Sequence, residues 1–124
     1  MYSHMMVGSN DIDRSKKFYD ATFKAMGGNE GMIDDHGRLV YLHNGGAFLV
    51  TTPIDGSPAT HGNGCTIGLS MTPEQADAWH AAGVANGGTA IEDPPGERPG
   101  SGFYLAYLRD PDGNKLCALH RIGS

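Results

Sequence analysis

The chain has 124 residues, of which 19 are glycine, roughly twice the usual share of about 7%. Hydrophobic residues make up 39%, enough for one compact core, so disorder is excluded, and the glycine excess points to short strands and turns rather than a helical bundle. Nine Lys and Arg against fourteen Asp and Glu leave a net charge of −5, without the cationic cluster that nucleic acid or an anionic membrane surface requires.

Residues 3–9 form the first predicted strand. Asn10 or Asp11 caps a helix whose apolar positions Ile12, Phe18, Tyr19, Thr22, Phe23 and Met26 follow a helical period, and Gly27-Gly28 stops it. Its Arg14-Ser15-Lys16-Lys17 run reads as a solvated face. A hairpin follows: Tyr41-Leu42 leads through His43-Asn44-Gly45-Gly46 into Ala47-Phe48-Leu49-Val50, with Asn-Gly at the corner. Pro53 to Asn63 is a linker.

The plan then recurs, and a repeat of this kind decides a fold. Cys65 to Met71 is a strand, and Thr72-Pro73-Glu74-Gln75 is a capping box with proline at the first helical position. Ala76, Trp79, Ala82 and Ala85 supply the apolar stripe; Gly87-Gly88 or, a turn earlier, Gly83 ends the helix. Glu92 to Gly102 reads as a loop, longer than the usual 2–6 residues, carrying Arg98 and leading into Phe103-Tyr104-Leu105-Ala106-Tyr107. The second hairpin runs from Tyr107-Leu108 through Arg109 to Asn114 and into Lys115 to Leu119. Each half thus reads strand–helix–strand–strand–strand. Repeat 1 spans about 1–52, the linker 53–63 and repeat 2 about 64–124, in a single domain over 1–124.

Two segments resemble the vicinal oxygen chelate superfamily, which includes glyoxalase I, extradiol dioxygenases and bleomycin-resistance proteins. One is His4 followed by Asp11, Ser15 and Phe18-Tyr19; the other is Asp110-Pro111-Asp112-Gly113-Asn114 before the last strand. The resemblance implies an α+β fold of two βαβββ repeats forming a curved mixed sheet around a cavity. It also implies a homodimer and a divalent metal held by strand residues, which align here with His4, Leu49, Thr66 and Cys117. His4 alone matches the superfamily's ligands. Leucine has no donor, a threonine hydroxyl ligates poorly, and Cys117 stands where glutamate is usual. A zinc site would have to recruit His4, Cys117 and a displaced histidine such as His61.

The expected function is therefore small-molecule binding by a protein with an incomplete metal site, non-catalytic or metal-free. The alternative is a divalent-metal-dependent lyase, isomerase or dioxygenase of the same superfamily. The candidate cavity residues are His4, Thr66, Arg98, Tyr107 and Cys117, and no residue is assigned a catalytic role. Arg98 beside aromatic residues suits a ligand with a carboxylate or a ring. Tyr41 and Tyr107 occupy matching places in the two hairpins and either line the cavity or pack on the outer face. Cys65 and Cys117 read as buried and inert, and they are too few and too distant for a disulfide framework. His36, His43, His61 and His80 fall in turns, linker or helix and read as solvated. The acidic run Asp110 to Asn114 reads as a tight turn whose aspartates bond the backbone. The N-terminus has no signal-peptide pattern and no stretch approaches the ~20 apolar residues of a membrane span, so a cytoplasmic location is expected.

Overall fold

A computed structural model describes residues 1–123. The first unit comprises β1 (His4–Gly8), α1 (Ile12–Ala25), β2 (Met32–Ile33), β3 (Leu39–His43) and β4 (Gly46–Thr51). Its sheet has the order β1-β4-β3-β2, with β1 parallel to β4 and the other pairs antiparallel. The second unit comprises β5 (Ile67–Ser70), α2 (Pro73–Ala85), β6 (Thr89–Ala90), β7 (Gly96–Arg98), β8 (Phe103–Arg109) and β9 (Lys115–Arg121). Its order is β5-β9-β8-β6, and β7 also pairs with β8.

The helix starts follow from their caps. Asp11 accepts from the Arg14 N–H at 3.0 Å, and Thr72 and Gln75 exchange both bonds of a capping box. The first hairpin turns at Asn44 (φ 48°) and Gly45 (φ 81°), the left-handed pair that a tight two-residue turn demands. The second helix runs through Gly83 to Ala85 before the glycine pair.

Glu92 to Gly102 is not one loop. Gly96-Glu97-Arg98 pairs antiparallel with Phe103-Tyr104-Leu105, and Gly100 (φ 77°) and Gly102 (φ 78°) turn the chain between them. The edge of the second sheet is thus a split strand: β6 pairs with the far end of β8, β7 with its start, and Pro94-Pro95 lies in the gap. Proline has no N–H to donate and cannot continue the ladder. The second unit therefore has one strand more than the first.

Each sheet packs one face on its helix. In the first, Val7, Leu39, Tyr41, Phe48 and Val50 meet Phe18, Tyr19 and Phe23 of α1; in the second, Ala106, Leu108, Leu116 and Ala118 join Ala76 and Trp79 of α2 in the same core. The helices pack on each other around Gly83, where an added Cβ would overlap Leu108 and touch Thr22. The expected curved sheet is realised as two mixed sheets, not closed into a barrel, whose edge strands β1 and β5 line the same cavities.

Candidate functional site

The superfamily-like segments turn out to bind each other. Asp110, 3% exposed, accepts from the Tyr19 hydroxyl at 2.6 Å, from the Asp112 and Asn114 N–H groups at 2.9 Å and from the Asn114 amide at 2.8 Å. Asp112 accepts from Arg14 at 2.8 Å and from the Asn10 N–H at 3.0 Å, and Asn114 donates to the Gly8 carbonyl at 3.1 Å. The acidic turn is a tight turn, and it also clamps the second unit onto the start of α1. Burial above all, and then the Asp110 charge, raise the Tyr19 phenol well above its ordinary value, so its hydroxyl stays protonated to donate.

A cavity of about 230 Å³ opens where the start of β1, the β3–β4 turn, the end of α1 and the edge of β5 meet. His4 lines it together with Met5, Phe23, Met26, Tyr41 and His43. Phe23 stacks on Tyr41 with ring centroids 4.5 Å apart and planes at 5°, and His43 meets the edge of Phe23. The Tyr41 hydroxyl donates to Asp20 at 2.8 Å, which also receives Lys16 and the Gly31 N–H. The His4 Nδ1 is engaged by the Ser3 hydroxyl at 2.8 Å, and its Nε2 has no hydrogen bond among the described residues. The Asn44 amide lies 3.1 Å from the His43 Nε2.

The other candidates lie elsewhere. Tyr107 and Cys117 are direct cross-strand partners on the helix-free face of the second sheet. Lys115 sits over the Tyr107 ring, 4.9 Å from its centroid, and pairs with Glu92. Burial raises the Cys117 thiol above its ordinary value, and the Tyr107 hydroxyl opposes this less strongly, so the sulfur stays a thiol rather than a thiolate. Arg98 is half-buried near these two groups, but its guanidinium donates to the carbonyls of Asp93, Pro94 and Gly96 and holds the bend before β7 together. Thr66 is exposed just ahead of β5. The structure therefore groups Arg98, Tyr107 and Cys117 on one face, with His4 on the other sheet.

Three residues differ from their sequence reading. Cys65 is exposed, because it lies ahead of β5 in a glycine-rich turn rather than inside the strand; Cys117 is buried. His43 is half-buried against Phe23 and lines the cavity rather than facing solvent. The signal was present, since His43 shares the strand parity of Tyr41. His80 has a buried Nε2 with no hydrogen-bond partner. As for the paired tyrosines, Tyr41 faces α1 and Tyr107 the helix-free side, because Tyr41 pairs with Phe48 but Tyr107 with Cys117 across a longer turn.

The aligned metal positions do not fit a metal. Leu49 has no donor, Thr66 is exposed, and the remaining imidazole and protonated thiol lie on different sheets, short of the roughly three donors of an open divalent site. His61 donates instead to the Asp112 carbonyl at 3.1 Å, and among the described residues no three His, Cys, Asp or Glu side chains converge. None of the described helices is long and apolar enough to cross a membrane.

A glyoxalase/bleomycin resistance protein from Albidiferax ferrireducens is 58% identical to the chain, covering 97% of it and 98% of its own length, with a TM-score of 0.90. A glyoxalase/bleomycin resistance protein/dioxygenase family enzyme from Burkholderia phytofirmans is 18% identical over 97% and 98% of the two chains, with a TM-score of 0.74. The fosfomycin resistance protein FosX from Listeria monocytogenes, complexed with Mn(II) and sulfate, is 15% identical over 100% and 90%, with a TM-score of 0.69. At these lower identities the likeness is one of fold alone. Among curated proteins no match is found. The family model of the Glyoxalase/Bleomycin resistance protein/Dioxygenase superfamily matches residues 2–118, and with the two βαβββ-type units described above the chain belongs to this superfamily.

Proposed function

We propose that the protein holds one small molecule in the cavity beside His4, without a metal at the superfamily's ligand positions. The observation that carries this reading is the contrast between the cavity and the aligned metal positions. His4 lines a largely apolar cavity and its Nε2 is unengaged among the described residues, while Leu49, Thr66 and Cys117 supply no donor set to go with it. Concave apolar sites with a few convergent polar groups are the usual form of a small-molecule pocket.

A second copy of the chain completes the proposal. Cross-strand register puts Met6, Leu49, Val40 and Met32 in one row across the helix-free face of the first sheet, with Met6 42% and Met32 59% exposed. Leu105 and Leu119 pair on the equivalent face of the second sheet, beside Tyr107. Burying such rows between two chains would supply core that so small a sheet lacks alone. Two unpaired cysteines suit the reducing cytoplasm expected for this chain.

A thermal-shift screen of small molecules on the wild type tests the reading, with His4→Ala as its control. A binding protein keeps its ligand in the variant, weakened by no more than the 0.5–1.5 kcal/mol or so of one hydrogen bond. Turnover abolished by His4→Ala, or by a chelator, would replace this reading with an enzymatic one.

A further inference from the structure

Asp, Glu, Lys and Arg make up 19% of the chain, yet none of them lines the cavity beside His4. The shallower hollow that adjoins it around Leu42 and Gly45 is equally free of them. The contrast is internal: at the other end of the seam between β1 and β5, a hollow of the same size, about 230 Å³, includes Lys115 together with His61 and Cys65.

Two histidines are among the polar groups at the cavity. His4 has an Nε2 with no partner among the described residues, and the His43 Nε2 is met by the Asn44 amide. Its apolar wall includes two methionines, Met5 and Met26, and the rings of Phe23, Tyr41 and Phe48, while Ser3, Asn44 and Ser70 add uncharged polar groups. Methionine sulfurs and ring edges pack readily against the flat face of an aromatic ligand. A charged ligand would lose its hydration here with no counter-charge to replace it. At about 230 Å³ the cavity itself has room for one or two fused rings.

We infer that the ligand of this cavity is an uncharged aromatic molecule of one or two rings, bearing a hydroxyl or carbonyl that hydrogen-bonds to the histidines. The inference rests on the binding reading proposed above and specifies its ligand class.

Three probes that share one ring system and differ in charge test it: 2-naphthol, 2-naphthoate and protonated 2-(aminomethyl)naphthalene, titrated against the full chain by calorimetry near pH 8. The expected result is that 2-naphthol binds at least about tenfold more tightly than either ion, because each ion must shed its hydration without a partner. A second arm uses Gly68→Leu. Gly68 lines the cavity, and a Cβ built there meets nothing within 4 Å, so the substitution adds bulk at the cavity rim without overlapping the core. It should abolish naphthol binding while the melting temperature stays close to that of the wild type. Tighter binding of either ion overturns the ligand class but leaves the binding reading standing. Failure of all three probes, or naphthol binding that survives Gly68→Leu, overturns the assignment of the ligand to this cavity.

Discussion

One hydroxyl–carboxylate bond ties positions 91 residues apart: Tyr19 on α1 donates to Asp110 in the β8–β9 turn. Removing the hydroxyl with Tyr19→Phe leaves Asp110 its three other donors, so the loss should be that of one charge-assisted bond, about 1.5–3 kcal/mol by denaturant unfolding. An unchanged midpoint would mean that the clamp contributes nothing. His80 makes a second prediction at this scale. Burial lowers its imidazole below the ordinary 6.5, with the Tyr107 main chain and Asp77 opposing, and its Nε2 has no partner to receive a charge. The unfolded chain therefore binds this proton more readily than the folded one. Stability should be full above pH 6.5 and fall as pH drops from there toward the lowered folded value; His80→Gln should flatten that part of the profile, read by thermal melts across pH. Asp20 acts lower. Burial raises its carboxyl, but bonds from Lys16, Gly31 and Tyr41 outweigh this and hold it below its ordinary 3.8, so its contribution is lost only as pH falls below that value. The sequence showed Tyr19 and Asp110 as members of two resembling segments, yet nothing in their spacing said that the two would touch. That contact is a product of the tertiary fold.

The elements were the most legible level. Both helices, both glycine-pair stops and both hairpins stand where periodicity and turn chemistry put them, because each rests on interactions within a few residues. The split edge strand was not legible, since the pairing of Gly96-Glu97-Arg98 depends on where β8 lies, and two prolines disguise it. The same limit hid the opposite facing of Tyr41 and Tyr107, which one step of register decides. Gly83 tests the packing of element on element. Helix propensity alone would favour Gly83→Ala by about 1 kcal/mol. Overlap with the fully buried Leu108, with Thr22 close by, should reverse this, overpacking costing about 1–3 kcal/mol. A variant more stable than wild type in thermal melts would show that the helices have slack at their crossing.

At the scale of the molecule, the glycine excess reflects a duplicated scaffold, and the paired units leave two helix-free sheet faces. If a second copy covers them, light scattering at micromolar concentration reads twice the chain mass, and Met6→Lys, which puts a charge into the exposed apolar row, shifts the protein toward the single-chain mass. Wild-type protein that runs as a monomer would remove the second copy from the account. The candidate site was half visible in the sequence: His4 came from the resemblance, but the aromatic and methionine wall is drawn from β1, the end of α1, β3 and β4, whose approach to β5 only folding establishes. In this chain His4 stands without a matching donor set at the positions that align with the superfamily's metal ligands. Elemental analysis of protein purified without a histidine tag tests this most directly. No stoichiometric metal is expected, and one tightly held zinc, nickel, manganese or iron per chain would contradict the binding of a ligand without metal at these positions.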